Sequence, residues 1–272
     1  MVDLEAAVRY PTRKDGWTAT IAAGGSILLG SQGIGLLGTL LSLSLLVFAP
    51  VLQPLVALAV VVFSLPVVGY TVDVLRSTLD GEDAPPRFEN VRSRLKDGLA
   101  AVAIALVYLI PFVILVGGSL LVAWIISTAA DDAALLVVLG PLFAVPLGGI
   151  YTVLMAYLLP ISVAIYAADG LTATTNPTRY RSIAVDRAYA GRWLVALVAW
   201  FIGALMAQWL AVFVIGFFLY FYALVIVARQ IGLGVAAADG EADADPAEAD
   251  PEESDSESDP ATESSTSGES AA

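Results

Sequence analysis

The sequence predicts an all-α protein: a polytopic membrane helix bundle of about six transmembrane helices with amphipathic interfacial connectors. Three observations predict it. Hydrophobic residues fill 58% of the 272 positions and charged ones only 14%, against roughly half and a quarter in soluble domains. Four runs, Thr18–Val72, Leu99–Ala130, Ala133–Ala168 and Trp193–Ala228, carry no Lys, Arg, Asp or Glu, and each exceeds the ~20 residues one helix needs to cross a bilayer core. The thirteen basic residues fall in clusters that six crossings would place on one side.

Met1–Trp17 is a short surface segment, with Leu4 and Val8 on one helical face before Tyr10-Pro11 ends it. Trp17 suits the headgroup level. Both charge signs precede an apolar run too long for a signal peptide, so the first hydrophobic segment is expected to stay as an anchor. As one helix, Thr18–Val72 would be about 80 Å long against a bilayer core of about 30 Å, so it must fold back. Pro50 and Pro54 put that turn at Ala49–Pro54. The first crossing, 20–46, is rich in Gly and Ser, which let helices approach closely, and is expected inside the bundle. The second crossing covers 53–75.

The connector 76–98 passes through Asp80-Gly81-Glu82-Asp83 to Pro85-Pro86 and a helix with Phe88, Val91, Leu95 and Leu99 on one stripe. Arg87, Arg92, Arg94 and Lys96 lie off that stripe, the pattern of a basic amphipathic helix resting on anionic headgroups. Asp73 and Arg76 are spaced to pair across one helical turn. Crossings at 99–126 and 137–167 follow, joined by an acidic turn at Ser127–Ala133; the second of them carries Pro141, Pro146 and Pro160. Proline frees a carbonyl that must find a partner in the protein or in a wet cavity. A polar crevice lined by Gln32, Tyr151, Tyr157 and Gln208 is the candidate cavity.

The connector 170–191 echoes the first. Pro177-Thr178-Arg179-Tyr180 with Ile183 parallels Pro86-Arg87-Phe88 with Val91, and Arg179 and Arg181 are further candidate lipid contacts. Three units, each a surface segment followed by a helical hairpin, would account for the echo. Trp193–Ala228 would be about 54 Å as one helix, so a turn between Gln208 and Gly216 is expected, with crossings at 192–209 and 212–230. Six crossings set every basic residue on one side, which marks both termini as cytoplasmic and the protein as a multi-pass protein of the cell membrane.

The transmembrane domain is thus read as 1–235. Thirteen acidic residues precede position 239, balancing thirteen basic ones, and thirteen more occupy 239–272, so the net charge of −13 belongs to the C-terminal segment. With no aromatic or large aliphatic side chain to bury, 236–272 is expected to be a disordered acidic cytoplasmic tail.

The absence of Cys and His removes thiol nucleophiles, disulfides, zinc-thiolate sites and imidazole bases. No catalytic, metal or cofactor site is evident, and no cofactor is expected. The uncharged runs also lack the buried acids and bases that mark ion and proton pathways, Asp73 at a helix end being the nearest. A non-enzymatic structural or accessory membrane protein follows best, with membrane lipids and another membrane protein as partners and no nucleic acid. A transporter or lipid-handling protein for a neutral or amphipathic substrate is the alternative.

Gly69–Arg76, Gly81–Phe88 and Asp97-Gly98-Leu99 form a distinctive pattern, together with Tyr10-Pro11, Asp15–Trp17 and Gly216–Tyr222 leading to Arg229 and Gly232. Over residues 1–235 it resembles the haloarchaeal membrane family numbered four-thousand-thirteen among the domains of unknown function. The resemblance implies a multi-pass archaeal membrane protein and no particular activity. Eleven Arg against two Lys and the acidic C-terminal segment independently suggest a halophilic host.

Overall fold

The computed structural model describes residues 4–130 and 132–243. Within them the chain is all helical: α1 (Leu4–Arg9), α2 (Trp17–Ser44), α3 (Ala49–Leu79), α4 (Val91–Ala129), α5 (Ala133–Asp169), α6 (Pro177–Val185), α7 (Arg187–Leu210) and α8 (Ile215–Asp243). Six of these, α2 to α5 with α7 and α8, are long and apolar enough to cross a membrane. They pair as three hairpins, α2 with α3, α4 with α5 and α7 with α8. The described chain therefore starts and finishes at one end of the bundle, where the charged connectors also lie.

Local chemistry sets the helix starts. The Asp186 carboxylate accepts from Ala188 N at 2.7 Å and Tyr189 N at 3.0 Å, and the Asn176 side-chain oxygen caps Pro177–Val185, each satisfying an N–H that a helix start leaves open. Gly170 stops α5 with φ +82°, a backbone that side-chain-bearing residues rarely adopt.

Several expectations need correction. The first turn lies at Leu45–Phe48, not Ala49–Pro54, and Pro50 and Pro54 stand inside α3; Pro50 costs little in the first helical turn because its N–H would be unpaired there anyway, and Pro54 lies beyond that turn. The interfacial helix and the third crossing are one helix starting at Val91, while Phe88 belongs to the preceding loop. The interior helix is α8, not α2: 67% of its most apolar window is buried, against 11% for α2. The small residues of α2 serve one face only, where Gly24 and Gly25 admit the rings of Phe221 and Phe218. Helix α8 also runs past residue 235, with Ala238 buried and Asp239 paired to Arg179, so the boundary expected at 236 moves to the end of that helix. Residues 244–272, where the acidic tail was expected, lie outside the described residues.

The apolar stripe Val91, Leu95 and Leu99 points outward, and Arg94 points inward. An amphipathic helix in water buries its apolar face, whereas in a membrane the surrounding solvent is itself apolar and the charge must be paired within the protein. The buried core sits at the charged end, around Tyr70, Val74, Ile161, Ile165, Phe221 and Val225. Toward the opposite end the helices expose large aliphatic residues such as Leu36, Val47, Val137 and Val212.

The carbonyl that Pro160 frees in α5 finds a partner in the protein. Pro160 cannot donate to the carbonyl of Ala156, and Trp193 Nε1 does so from α7 at 2.9 Å. Tyr189 and Tyr180 donate to the next two carbonyls, of Tyr157 at 2.8 Å and Leu158 at 3.1 Å. Trp193→Phe is expected to cost about 1 kcal/mol, the worth of one hydrogen bond. In a Pro160→Ala background the restored N–H satisfies the same carbonyl, and that cost should shrink. Equilibrium unfolding in mixed micelles measures both.

Candidate functional site

At the charged end, α3, α4 and α5 converge on a polar clamp. Asp73 and Arg76 lie one turn apart near the end of α3, and Arg94 and Asp97 lie one turn apart at the start of α4. Arg94 Nε meets Asp73 Oδ2 at 2.8 Å, Arg76 Nη1 meets Asp73 Oδ1 at 3.1 Å, and the same nitrogen lies 3.5 Å from Asp97 Oδ2. From α5, Tyr166 Oη donates to Asp97 Oδ1 at 2.7 Å, and Arg76 Nε donates to the carbonyl of Ala167 at 3.1 Å. Two carboxylates and two guanidinium groups alternate, so the set is charge-balanced.

Aromatic rings enclose the innermost cation. The Arg94 side chain is 3% exposed. Its guanidinium carbon lies 4.3 Å from the Phe88 ring centroid and 5.0 Å from that of Tyr70, and Nη2 donates to the carbonyl of Arg87. Tyr70 Oη donates to the carbonyl of Pro86 at 2.9 Å, and its ring lies 5.3 Å from Phe221 of α8. The connector is thereby tied to three helices. Glycines allow the closeness: a Cβ on Gly69 would strike the Arg94 carbonyl, and one on Gly98 would strike that of Leu65.

A second cluster joins α8 to the N-terminal segment. Arg229 Nη2 lies 3.2 Å from Asp83 Oδ1, Nη1 donates to the carbonyl of Glu82, and the guanidinium covers the Tyr10 ring at 4.6 Å. Burial pushes the Tyr10 hydroxyl above the ordinary phenol value of 10.0, while Ser77, the charge of Arg229 and Thr78 pull the other way. The folded state thus holds this proton more tightly than the unfolded one. That contribution is complete below the ordinary value and is lost as pH rises through the higher folded one. Alkaline unfolding that begins near pH 10 should therefore be weaker in Tyr10→Phe, with tyrosinate absorbance following the titration.

Arg179 forms a third cluster, bridging α5 and α8 through Asp169 and Asp239. Its hydrogen bonds to those carboxylates, Asp239 foremost, push its pKa still higher.

The predicted lipid contacts separate on the structure. Arg87, Arg92, Lys96 and Arg181 are exposed at the charged end. Arg94 is closed to headgroups, because its charge is paired with Asp73 and its faces are covered by rings, and Arg179 is engaged by two carboxylates. The four crevice residues also separate. Gln32 and Gln208 share a cavity of about 390 Å³ between α2, α7 and α8, with Tyr220 and Gly216. Tyr151 and Tyr157 lie away from it, donating to the carbonyls of Tyr108 at 2.6 Å and Ala184 at 2.9 Å.

Sequence reasoning missed Asp97, Tyr166, Tyr10 and Arg229 as members of the clusters. The i, i+3 spacing of Arg94 and Asp97, which mirrors that of Asp73 and Arg76 in reverse sign order, was the available signal.

Residues 52–228 match the family described as protein of unknown function (DUF4013). The chain belongs to this family. The DUF4013 match takes in the whole polar clamp, from Asp73 through Tyr166, and stops one residue short of Arg229. No curated protein and no solved structure matches this DUF4013 chain. Among its described residues, no group of three or more His, Cys, Asp or Glu could hold a metal ion.

Proposed function

We propose that this DUF4013 protein is a structural or accessory component of the membrane, a scaffold with no catalytic activity of its own. One observation carries it: Asp73 and Asp97, which flank membrane-crossing runs of α3 and α4, are both engaged by guanidinium groups, and Tyr166 also donates to Asp97. Such a closed set holds helices together and leaves neither carboxylate open to relay ions or protons. The collection of basic residues at one end supports a cytoplasmic location for that end and both termini, in the cell membrane of a salt-adapted archaeon. Its partners in this role are lipids and another membrane protein, not nucleic acid. The cavity shared by Gln32 and Gln208 favours a second role, the transport or handling of a neutral or amphipathic solute.

The test is affinity purification of the full chain from native membranes in high KCl, beside a version ending at Asp243, which keeps the Asp239–Arg179 pair. A stoichiometric protein partner that leaves on truncation is the expected result. A solitary protein carrying a defined solute would overturn the scaffold role in favour of the second.

A further inference from the structure

Helix α1 packs against α8, and two cavities meet at its Ala7. On the polar side is a cup of about 250 Å³ lined by Tyr10, Arg13, Asp83, Arg192, Arg229 and Gln230. On the other is a groove of about 560 Å³, almost wholly apolar, running past Leu194, Val198, Ile202 and Met206 of α7 and Leu219 and Ile226 of α8. The four α7 residues are each at least 51% exposed, so the groove opens toward the hydrocarbon. From Leu194 to Met206 it runs about 18 Å, close to the depth of one leaflet of a ~30 Å core.

We propose that the cup and groove together bind one anionic membrane lipid, its acidic headgroup among Arg13, Arg192 and Arg229 and one hydrocarbon chain along the groove. Charge complementarity selects the headgroup. Three guanidinium groups line the cup with a single carboxylate, Asp83, which is 85% exposed and lies 3.2 Å from Arg229. Arg192 is half-buried and, among the described residues, donates only to Gln230 Oε1 at 3.2 Å, leaving most of its fork for a phosphate-type oxygen. Continuity selects a lipid over a free anion. Arg192 stands one helical turn from Val195 and Arg229 one turn from Ile226, both of which line the groove, so head and chain sites follow one another along both helices. The site stands apart from the clamp at Asp73 and holds whether or not the protein is a scaffold.

Native mass spectrometry of the detergent-purified full chain, titrated with phosphatidylglycerol or phosphatidylcholine of identical chains, tests this. One phosphatidylglycerol per protein is expected, preferred by about tenfold, the worth of a charge-assisted contact. Arg192→Gln should abolish the preference and Arg192→Lys should keep most of it. Ala199 lines the groove and not the cup, so Ala199→Trp, which fills the groove without touching the charges, should weaken both lipids. Arg187→Gln, at an exposed arginine outside the cup, should change nothing. Equal binding of the two lipids, an equal loss in Arg187→Gln and Arg192→Gln, or equal competition by chainless glycerol phosphate would overturn the proposal.

Discussion

Replacing Arg94 by methionine is expected to destabilise the folded bundle by about 3–5 kcal/mol, the usual consequence of breaking one partner out of a buried ion pair. The side chain is 3% exposed and its Nε is 2.8 Å from Asp73. Removing it leaves Asp73 with Arg76 alone, whose side chain is 39% exposed. It also removes the two ring contacts at 4.3 and 5.0 Å, which in a desolvated setting add stabilisation of their own. Arg76→Met should cost far less, about 1 kcal/mol, because water shares the work of a half-exposed partner. Asp73→Asn strands Arg94 instead of pairing it and should approach the cost of Arg94→Met. The double substitution should then fall short of the sum of the singles by about 1–3 kcal/mol. Equilibrium unfolding in mixed micelles reads all of these, and an Arg94→Met protein within 1 kcal/mol of the parent would show that the clamp is ornamental. High salt discriminates further: it should leave the buried Arg94–Asp73 pair nearly untouched and weaken the more open Arg179 bridge.

Uncharged run lengths and the clustering of basic residues were enough to read the membrane bundle and its six crossings, because a bilayer admits few alternatives. Finer features depended on contacts that spacing does not encode. Pro50 suits a turn or the first turn of a helix equally well, and only the backbone of Leu45–Phe48 decides between them. The stripe of Val91, Leu95 and Leu99 was legible, but not the side it faces, because the wheel reverses when lipid replaces water. Asp73 and Arg76 were legible as a pair; Tyr166 on Asp97 joins residues 69 apart, which no local pattern announces. The small residues of α2 correctly signalled close packing but not a central position, since one small-residue face is enough to seat Phe218 and Phe221. Gln32 and Gln208 line one cavity with α8 residues, whereas Tyr151 is drawn to the carbonyl of Tyr108 in α4 and Tyr157 to that of Ala184 in α6.

Gly98→Ala and Gly69→Ala are each expected to cost about 1–3 kcal/mol, and Gly98→Val more, through overpacking at the crossing of α3 and α4. In both glycines the added methyl would meet main chain, the carbonyl of Leu65 or of Arg94. A side chain can swing away from such a clash, but a helix carbonyl cannot, so relief requires the two helices to part. The glycine hydrogens that point at those oxygens are also placed for Cα–H···O contacts, which would be lost. Gly117 is the internal control. Nothing stands within 4 Å of its missing Cβ, so Gly117→Ala should be neutral or gain up to about 1 kcal/mol from helix propensity alone. Parting α3 from α4 also pulls Arg94 from Asp73, because each residue sits a single turn from a glycine of this crossing. Gly98→Ala should therefore be non-additive with Arg94→Met, the double substitution costing less than the sum of the two singles. Additive costs would mean that glycine packing and ion pairing stabilise the bundle separately, and a Gly98→Ala protein as stable as the parent would show that the glycine contacts do not set the spacing of these helices.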